Sequence, residues 1–107
     1  MGDRAQVRLY DDKTEGSVYL YTHWNGSDLR ETVKAALSRR QRWDDVEYLA
    51  RIVFEEMIQG NEGSESGFGI GYSEHFDLQH SVIELDCSRQ VMVVDNVQQT
   101  FEQFITK

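Results

Sequence analysis

The spacing of the apolar residues changes three times along this chain, and this pattern constrains the fold more than any other feature. Alternation of apolar and polar residues, which is typical of strands, dominates the first 24 residues and returns after residue 66. A spacing of three and four residues, which is typical of amphipathic helices, occupies the stretch between them and the C-terminal end. The predicted strands are residues 5–10, 17–24, 67–72, 81–86 and 90–95.

The first predicted helix covers residues 28–40. Asp28 and Glu31 have the spacing of a capping box, and Ser27 is a rival cap. Trp43 follows this helix and precedes the next one. We expect its large ring to be an anchor that fixes the angle between the two helices.

Two further helices are predicted on the same grounds. One begins after Asp44 or Asp45 and ends at Gly60, because glycine is the preferred residue beyond a helix C-terminus. The other is opened by Asn96 with Gln99 three residues later, and its apolar stripe runs almost to the last residue.

The order of these elements, β-β-α-α-β-β-β-α, predicts an α+β fold. Polar turns at residues 11–16 and 87–89 predict hairpins, so we expect mostly antiparallel pairing. All 107 residues are expected to form one domain, a five-stranded sheet with three helices packed on one face. The other face is expected to carry Tyr19, Tyr21 and His23, or the residues that alternate with them.

The cellular setting is predicted from three absences. The chain has one cysteine, which excludes an internal disulfide framework and favours the cytoplasm. Charged or polar residues interrupt every apolar stretch well before the roughly 18–20 residues of a membrane span. The N-terminal residues lack the apolar core of a signal peptide.

The charge distribution argues against direct binding of nucleic acid. The formal net charge is −8, and residues 61–107 contain eight acidic and two basic residues. A phosphate backbone would be repelled by such a surface. The one basic concentration, Arg39, Arg40 and Arg42, is interpreted as the solvated end of a helix. The alternative is that it contacts an acidic surface, for instance on a second copy of the chain.

No group of residues reaches the standard of an active site or a metal site. Glu74, His75, Asp77 and His80 lie within seven residues, but the histidine spacing falls in a predicted loop and is not typical of zinc sites. We therefore predict a solvated polar loop and no metal or other cofactor.

Cys87 and the glycine run at residues 67–71 are also assigned structural roles. A catalytic thiol needs a depressed pKa and a nearby base, and the neighbouring Asp86 has the opposite effect. The glycine run has no lysine or arginine near it and is not followed by a predicted helix, so we favour close backbone packing or a bulge over phosphate binding. We predict no catalytic residue.

The remaining candidates favour binding of another protein. Exposed aromatic side chains supply affinity at interfaces, and acidic groups supply steering and specificity. The candidate partner-binding residues are Tyr21, His23, Trp24, Glu62 and Glu65. The sharper hypothesis is an inhibitor of phage or mobile-element type that occupies the nucleic-acid groove of a basic partner.

Two alternatives remain open. In the first, a small ligand binds in a pocket between the sheet and the helix pair, lined by His23, Trp24 and Tyr72. In the second, the chain is a structural homo-oligomer.

Four segments resemble an uncharacterised family of small bacterial and phage-borne proteins. They are residues 19–24 (YLYTHW), 42–45 (RWDD), 48–51 (YLAR) and 67–70 (GFGI). The resemblance extends over residues 17–95 and is specific only in combination. It implies a cytosolic bacterial or phage setting, and it implies no catalytic residues.

Overall fold

The described residues of the computed structural model, 4–13, 16–23, 26–73 and 81–106, contain six strands in one sheet. The strands are β1 (Ala5–Tyr10), β2 (Ser17–Thr22), β3 (Phe68–Ser73), β4 (Ser81–Asp86), β5 (Val91–Val94) and β6 (Val97–Thr100). Their order across the sheet is β3-β2-β1-β4-β5-β6. The central pair, β1 with β4, is parallel, and all other neighbours are antiparallel.

The predicted α+β class is confirmed, but the predicted five-stranded sheet is wrong in two details. The sheet has a sixth strand, β6, and it is mixed because its central pair is parallel. In that pair Arg8 lies beside Glu84, which is 76 residues away in sequence. Alternation within a segment shows that it is a strand, but it does not identify so distant a partner.

Three α-helices occur in the described ranges: α1 (Leu29–Leu37), α2 (Val46–Met57) and α3 (Phe101–Ile105). The first ends three residues earlier than predicted, and the chain then passes through left-handed backbone at Arg40 and Arg42, with φ of 56° and 58°. Asp28 occupies the N-cap position, but its side chain makes no capping hydrogen bond, so the predicted capping box is wrong. None of these helices has the length and apolar character needed to cross a membrane.

The second helix begins as predicted, and of the two rival aspartates Asp45 is the cap. Its carboxylate accepts a hydrogen bond from the backbone N–H of Tyr48 at 3.1 Å. The helix ends at Met57, with Ile58 as its C-cap, so the predicted end at Gly60 is wrong; Gly60 lies in the turn that follows, and its φ of +84° is in the left-handed region that glycine adopts without strain.

The predicted last helix from Asn96 is wrong. Asp95 and Asn96 have φ of 53° and 67°, and they form the tight turn between β5 and β6. The helix starts at Phe101, where Thr100 and Gln103 form a capping box. Asparagine is favoured both at helix caps and in left-handed turns, and here the turn prevails.

The helices and one face of the sheet enclose a single core. The buried sheet residues include Val7, Leu9, Leu20, Ile83, Leu85 and Met92. The indole N–H of Trp43 donates to the carbonyl oxygen of Leu37 at 3.1 Å, and its ring meets the ring of Phe101 edge-on at 5.5 Å. Trp43 therefore joins the end of α1 to the start of α3, whereas the sequence predicted a contact between α1 and α2.

Candidate functional site

The most distinctive surface lies where β2 pairs with β3. Tyr21 is opposite Gly69 in the antiparallel register, and its ring covers the glycine so closely that a Cβ atom there would overlap it. The ring remains 40% exposed. The close approach of the Tyr21 ring thus accounts for Gly69; the sequence predicted close backbone packing or a bulge there, and the unbroken register of the strand shows that no bulge is present.

His23 continues this surface beyond the end of β2. Its imidazole is half-buried, with its centroid 5.7 Å from that of the Tyr21 ring. Its backbone N–H donates to the carbonyl oxygen of Gly67 at 2.8 Å. This bond joins the end of β2 to the exposed segment of residues 62–66, which precedes β3 and contains Glu62 and Glu65.

Ile70 lies at the same sheet edge but on the opposite face from Tyr21, and the sequence did not identify it. The register places it on the same face as Leu20, which is fully buried beneath the helices. However, β3 is the outermost strand, and Ile70 is 61% exposed. We define the β3 edge surface as Tyr21, His23, Glu62, Glu65 and Ile70.

The formal charge of the protein originates in the segment that contains most of this surface. Residues 52–88 contain eight acidic and no basic residues, which accounts for the whole net charge of −8. Two of these carboxylates, Glu55 and Glu56, pair with Arg39. The remaining described carboxylates of the segment divide into two groups.

Glu84 and Asp86 belong to the first group, because each has an arginine partner. Arg8 lies 3.0 Å from Glu84, and Arg89 lies 2.9 Å from Asp86. Glu62 and Glu65 belong to the second group: both are exposed, and neither forms an ion pair within the described ranges. Within residues 52–88, the described carboxylates without an ion-pair partner are therefore Glu62 and Glu65, which precede β3 in the chain.

The arginines of the basic cluster predicted at the end of α1 form contacts with other residues of the same protein. The guanidinium of Arg39 bridges to α2 through Glu55, and this interaction lowers the pKa of that carboxyl. Arg40 makes a bidentate contact with Glu102 on α3, with the second bond at 2.8 Å. Arg42 lies over the ring of Tyr48 at 4.5 Å. The alternative of a contact with another copy is therefore not required to explain these arginines.

Cys87 does not have the environment of a nucleophile. The thiol is buried just after the end of β4, and burial, with a further contribution from Asp11 and Asp86, raises its pKa to about 12. The thiolate is the reactive form, so this environment strongly disfavours attack at neutral pH.

Two depressions in the described surface differ from the predicted ligand pocket. One of about 230 Å³ lies between the start of α1 and strands β4 and β5, with Arg30 and Asp95 in its wall. The other, about 390 Å³, lies between the β1–β2 turn and the start of α2. Neither is lined by His23, while Trp24 and the side chain of Tyr72 lie outside what the structure describes.

The candidate metal loop also falls outside the described ranges. This applies to all four of its residues, Glu74, His75, Asp77 and His80. Across the part of the chain that is described, no three histidine, cysteine or carboxylate side chains are arranged to hold a metal ion.

Comparison of the chain with protein-family models, with curated proteins and with solved structures finds no match. The resemblance based on the four sequence segments therefore stays a prediction. The candidate site rests on its own geometry and charge.

Proposed function

We propose that this protein acts without catalysis, by binding a basic partner protein through the β3 edge surface. One observation carries the proposal: the carboxylates of Glu62 and Glu65, left without arginine partners among the described residues, adjoin in the chain the strand pair that exposes Tyr21 and Ile70. Apolar anchors bordered by charge are typical of protein interfaces. An acidic surface steers a basic partner and rejects acidic ones.

The partner is a protein with an exposed positively charged surface. A nucleic-acid-binding protein has such a surface, because it binds the phosphate backbone there. Occupation of its groove would inhibit it. This finer proposal follows from charge alone, and it places the protein in the cytoplasm with that partner. Trp24 remains a candidate member of the interface.

The test is a comparative capture experiment with immobilised protein. The binding variant is Glu62→Lys with Glu65→Lys, and the control variant is Glu31→Lys with Glu47→Lys. All four glutamates are exposed, and each variant has a formal charge of −4, because two replacements of −1 by +1 add four to −8. The two variants therefore differ in the position of the changed charge and not in its amount.

We expect basic host proteins to bind to the wild type and to the control variant, to be lost from the binding variant, and to elute as salt is raised. Equal retention by both variants would contradict the proposed surface. Partners that resist elution by salt would contradict its electrostatic basis.

A further inference from the structure

We infer that the partner contributes an extended segment that pairs with the open side of β3 as a seventh strand. This inference rests on the proposed function and specifies its binding mode. Addition of a strand to a sheet edge is an established mode of recognition, in which main-chain hydrogen bonds provide affinity and alternate side chains provide specificity.

The first support is the direction of the backbone groups of β3. Hydrogen-bonded and non-hydrogen-bonded pairs alternate in an antiparallel ladder. The backbone N–H of His23 donates to the carbonyl oxygen of Gly67, so these two residues form a hydrogen-bonded pair. The pairs that contain Gly69 and Gly71 lie two and four residues further along β3, so they are hydrogen-bonded pairs as well. The N–H and C=O groups of Ile70 must then point away from β2, toward the open side.

The second support is that, among the described residues, β3 has none of the sequence and pairing features that usually block an edge strand. Natural edges are blocked by charged side chains, proline, bulges or short length. β3 has six residues, FGIGYS, with no charge and no proline, and its pairing with β2 is continuous from Phe68 to Ser73. Within the described ranges no strand occupies its other side.

The third support is the shape of the two faces at this edge. On one face Gly69 and Gly71 have no side chains, so an added strand could lay its own side chains beside the exposed ring of Tyr21. On the other face the exposed side chain of Ile70 offers an apolar contact to every second residue of the added strand, namely those that point to this face.

Charge decides between the two possible occupants. A second copy of the chain would bring two molecules of net charge −8 together along their most acidic segments. A segment that alternates small apolar residues with lysine or arginine would instead bring positive charge next to Glu62 and Glu65. The occupant is therefore a basic extended segment of another protein.

The probe is a fluorescent peptide with the sequence Lys-Val-Lys-Thr-Lys-Val-Lys-Thr, measured by anisotropy at low salt. Its control has the same side chains and charge, but every backbone nitrogen is methylated. We expect the control to bind about tenfold or more weakly, because methylation removes the donors for several main-chain hydrogen bonds. Equal binding of both peptides would overturn strand addition while leaving an electrostatic surface intact.

The matching change in the protein is Ile70→Pro. Proline is tolerated at an edge where its missing N–H faces outward, so the variant should keep its fold but lose the peptide. Ile70→Thr keeps the N–H and should retain binding within a few-fold. Circular dichroism establishes whether the proline variant is folded.

Amide hydrogen exchange gives a readout that does not depend on any variant. Bound peptide should slow exchange at the Ile70 amide, while the amides of Gly69 and Gly71 change little because they already face β2. Uniform change along β3 would contradict the inference. So would a dimer of the protein alone, detected by sedimentation and dissociated by Ile70→Pro, because the occupant would then be a second copy.

The charge-reversal variant, Glu62→Lys with Glu65→Lys, separates this inference from the proposed function. We expect it to lose the unmethylated peptide, because the lysines of the peptide would then meet positive charge. If it binds that peptide as the wild type does, the electrostatic basis of the proposed function fails. Strand addition would still stand in that case, provided that the methylated control binds more weakly.

Discussion

The two edge strands of the sheet, β3 and β6, differ in length and in how they are joined to the core. β6 has four residues and leads directly into α3, whose first residue, Phe101, is fully buried. The backbone N–H of Phe101 donates to the carbonyl oxygen of Gln90 at 2.8 Å, which extends the β5–β6 pairing into the helix start. β3 has six residues, and its residue Ile70 is 61% exposed. Each edge exposes one apolar side chain, because Val97 of β6 is 59% exposed; the edges differ in strand length and in the buried Phe101 that follows β6 directly.

The largest expected effect comes from removing the anchor on the β6 side. Phe101→Ala deletes a buried ring that packs edge-on against Trp43, and we expect it to lower the free energy of unfolding by about 3–5 kcal/mol. Ile70→Ala on the β3 side should change it by less than about 0.5 kcal/mol. Urea denaturation of both variants measures the difference. Similar losses of unfolding free energy in the two variants would show that the two side chains contribute equally to stability.

A smaller effect is expected inside β3 itself. Gly69→Ala places a methyl group in the space of the Tyr21 ring, so the ring must move, at a cost of about 1–2 kcal/mol. Gly71→Ala is the matched control, because its nearest neighbour is the Cβ of Tyr19 at 3.9 Å, an ordinary contact. Thermal unfolding should separate the two variants. A Gly69→Ala protein as stable as the control would mean that the Tyr21 ring does not pack there.

The next effect tests the capping of α3 beyond β6. Thr100→Ala removes the side chain that accepts from the backbone N–H of Gln103 at 3.0 Å, and we expect a loss of about 1 kcal/mol. Asp28→Ala should cost only a few tenths, because the Asp28 side chain makes no capping bond in α1. Chemical denaturation compares them, and the reverse order would contradict the assignment of the caps.

The smallest effect concerns the ion pair that ties α3 to the end of α1. The hydrogen bonds from Arg40 hold the pKa of Glu102 below its ordinary value of 4.5. A lowered pKa stabilises the folded state above pH 4.5, and this contribution is lost as pH falls through the folded value. Arg40→Gln should therefore be less stable than the wild type near neutral pH, and the difference should shrink as the pH falls below the ordinary pKa of Glu102. Urea denaturation of both proteins at a series of pH values provides the check. A difference in stability that does not change with pH would exclude the Arg40–Glu102 pair as the source of that difference.

The spacing of apolar and polar residues correctly predicted those strand and helix limits that depend only on neighbouring residues in the chain. The limits of β1 and β4 agree with the prediction at both ends; in β1 the alternation is unbroken, and the charged residues Arg4 and Asp11 bound it. The sequence also predicts that either Asp44 or Asp45 is the N-cap of α2, and in the structure the cap is Asp45. The error at Asn96 arose where one residue type suits both a helix cap and a left-handed turn.

The candidate site was predicted only in part, for a similar reason. Alternation placed Tyr21 and His23 on one face, and the structure brings their rings together. It did not show that β3 is the outermost strand, so the exposure of Ile70 could not be foreseen. Exposure depends on which strands are neighbours, and pairing over long sequence separations is not encoded in any short window.

The parallel ladder between β1 and β4 has a consequence for how the molecule forms. Its paired residues are 76 positions apart, so the loop between them must close before the three N-terminal and three C-terminal strands share one sheet. Loop closure of this length and high contact order slow the folding of small proteins. During synthesis, the backbone groups on one side of β1 would have no strand partner until Ser81–Asp86 leaves the ribosome. Pairing of β1 with β4 would then join the two halves of the sheet in one step.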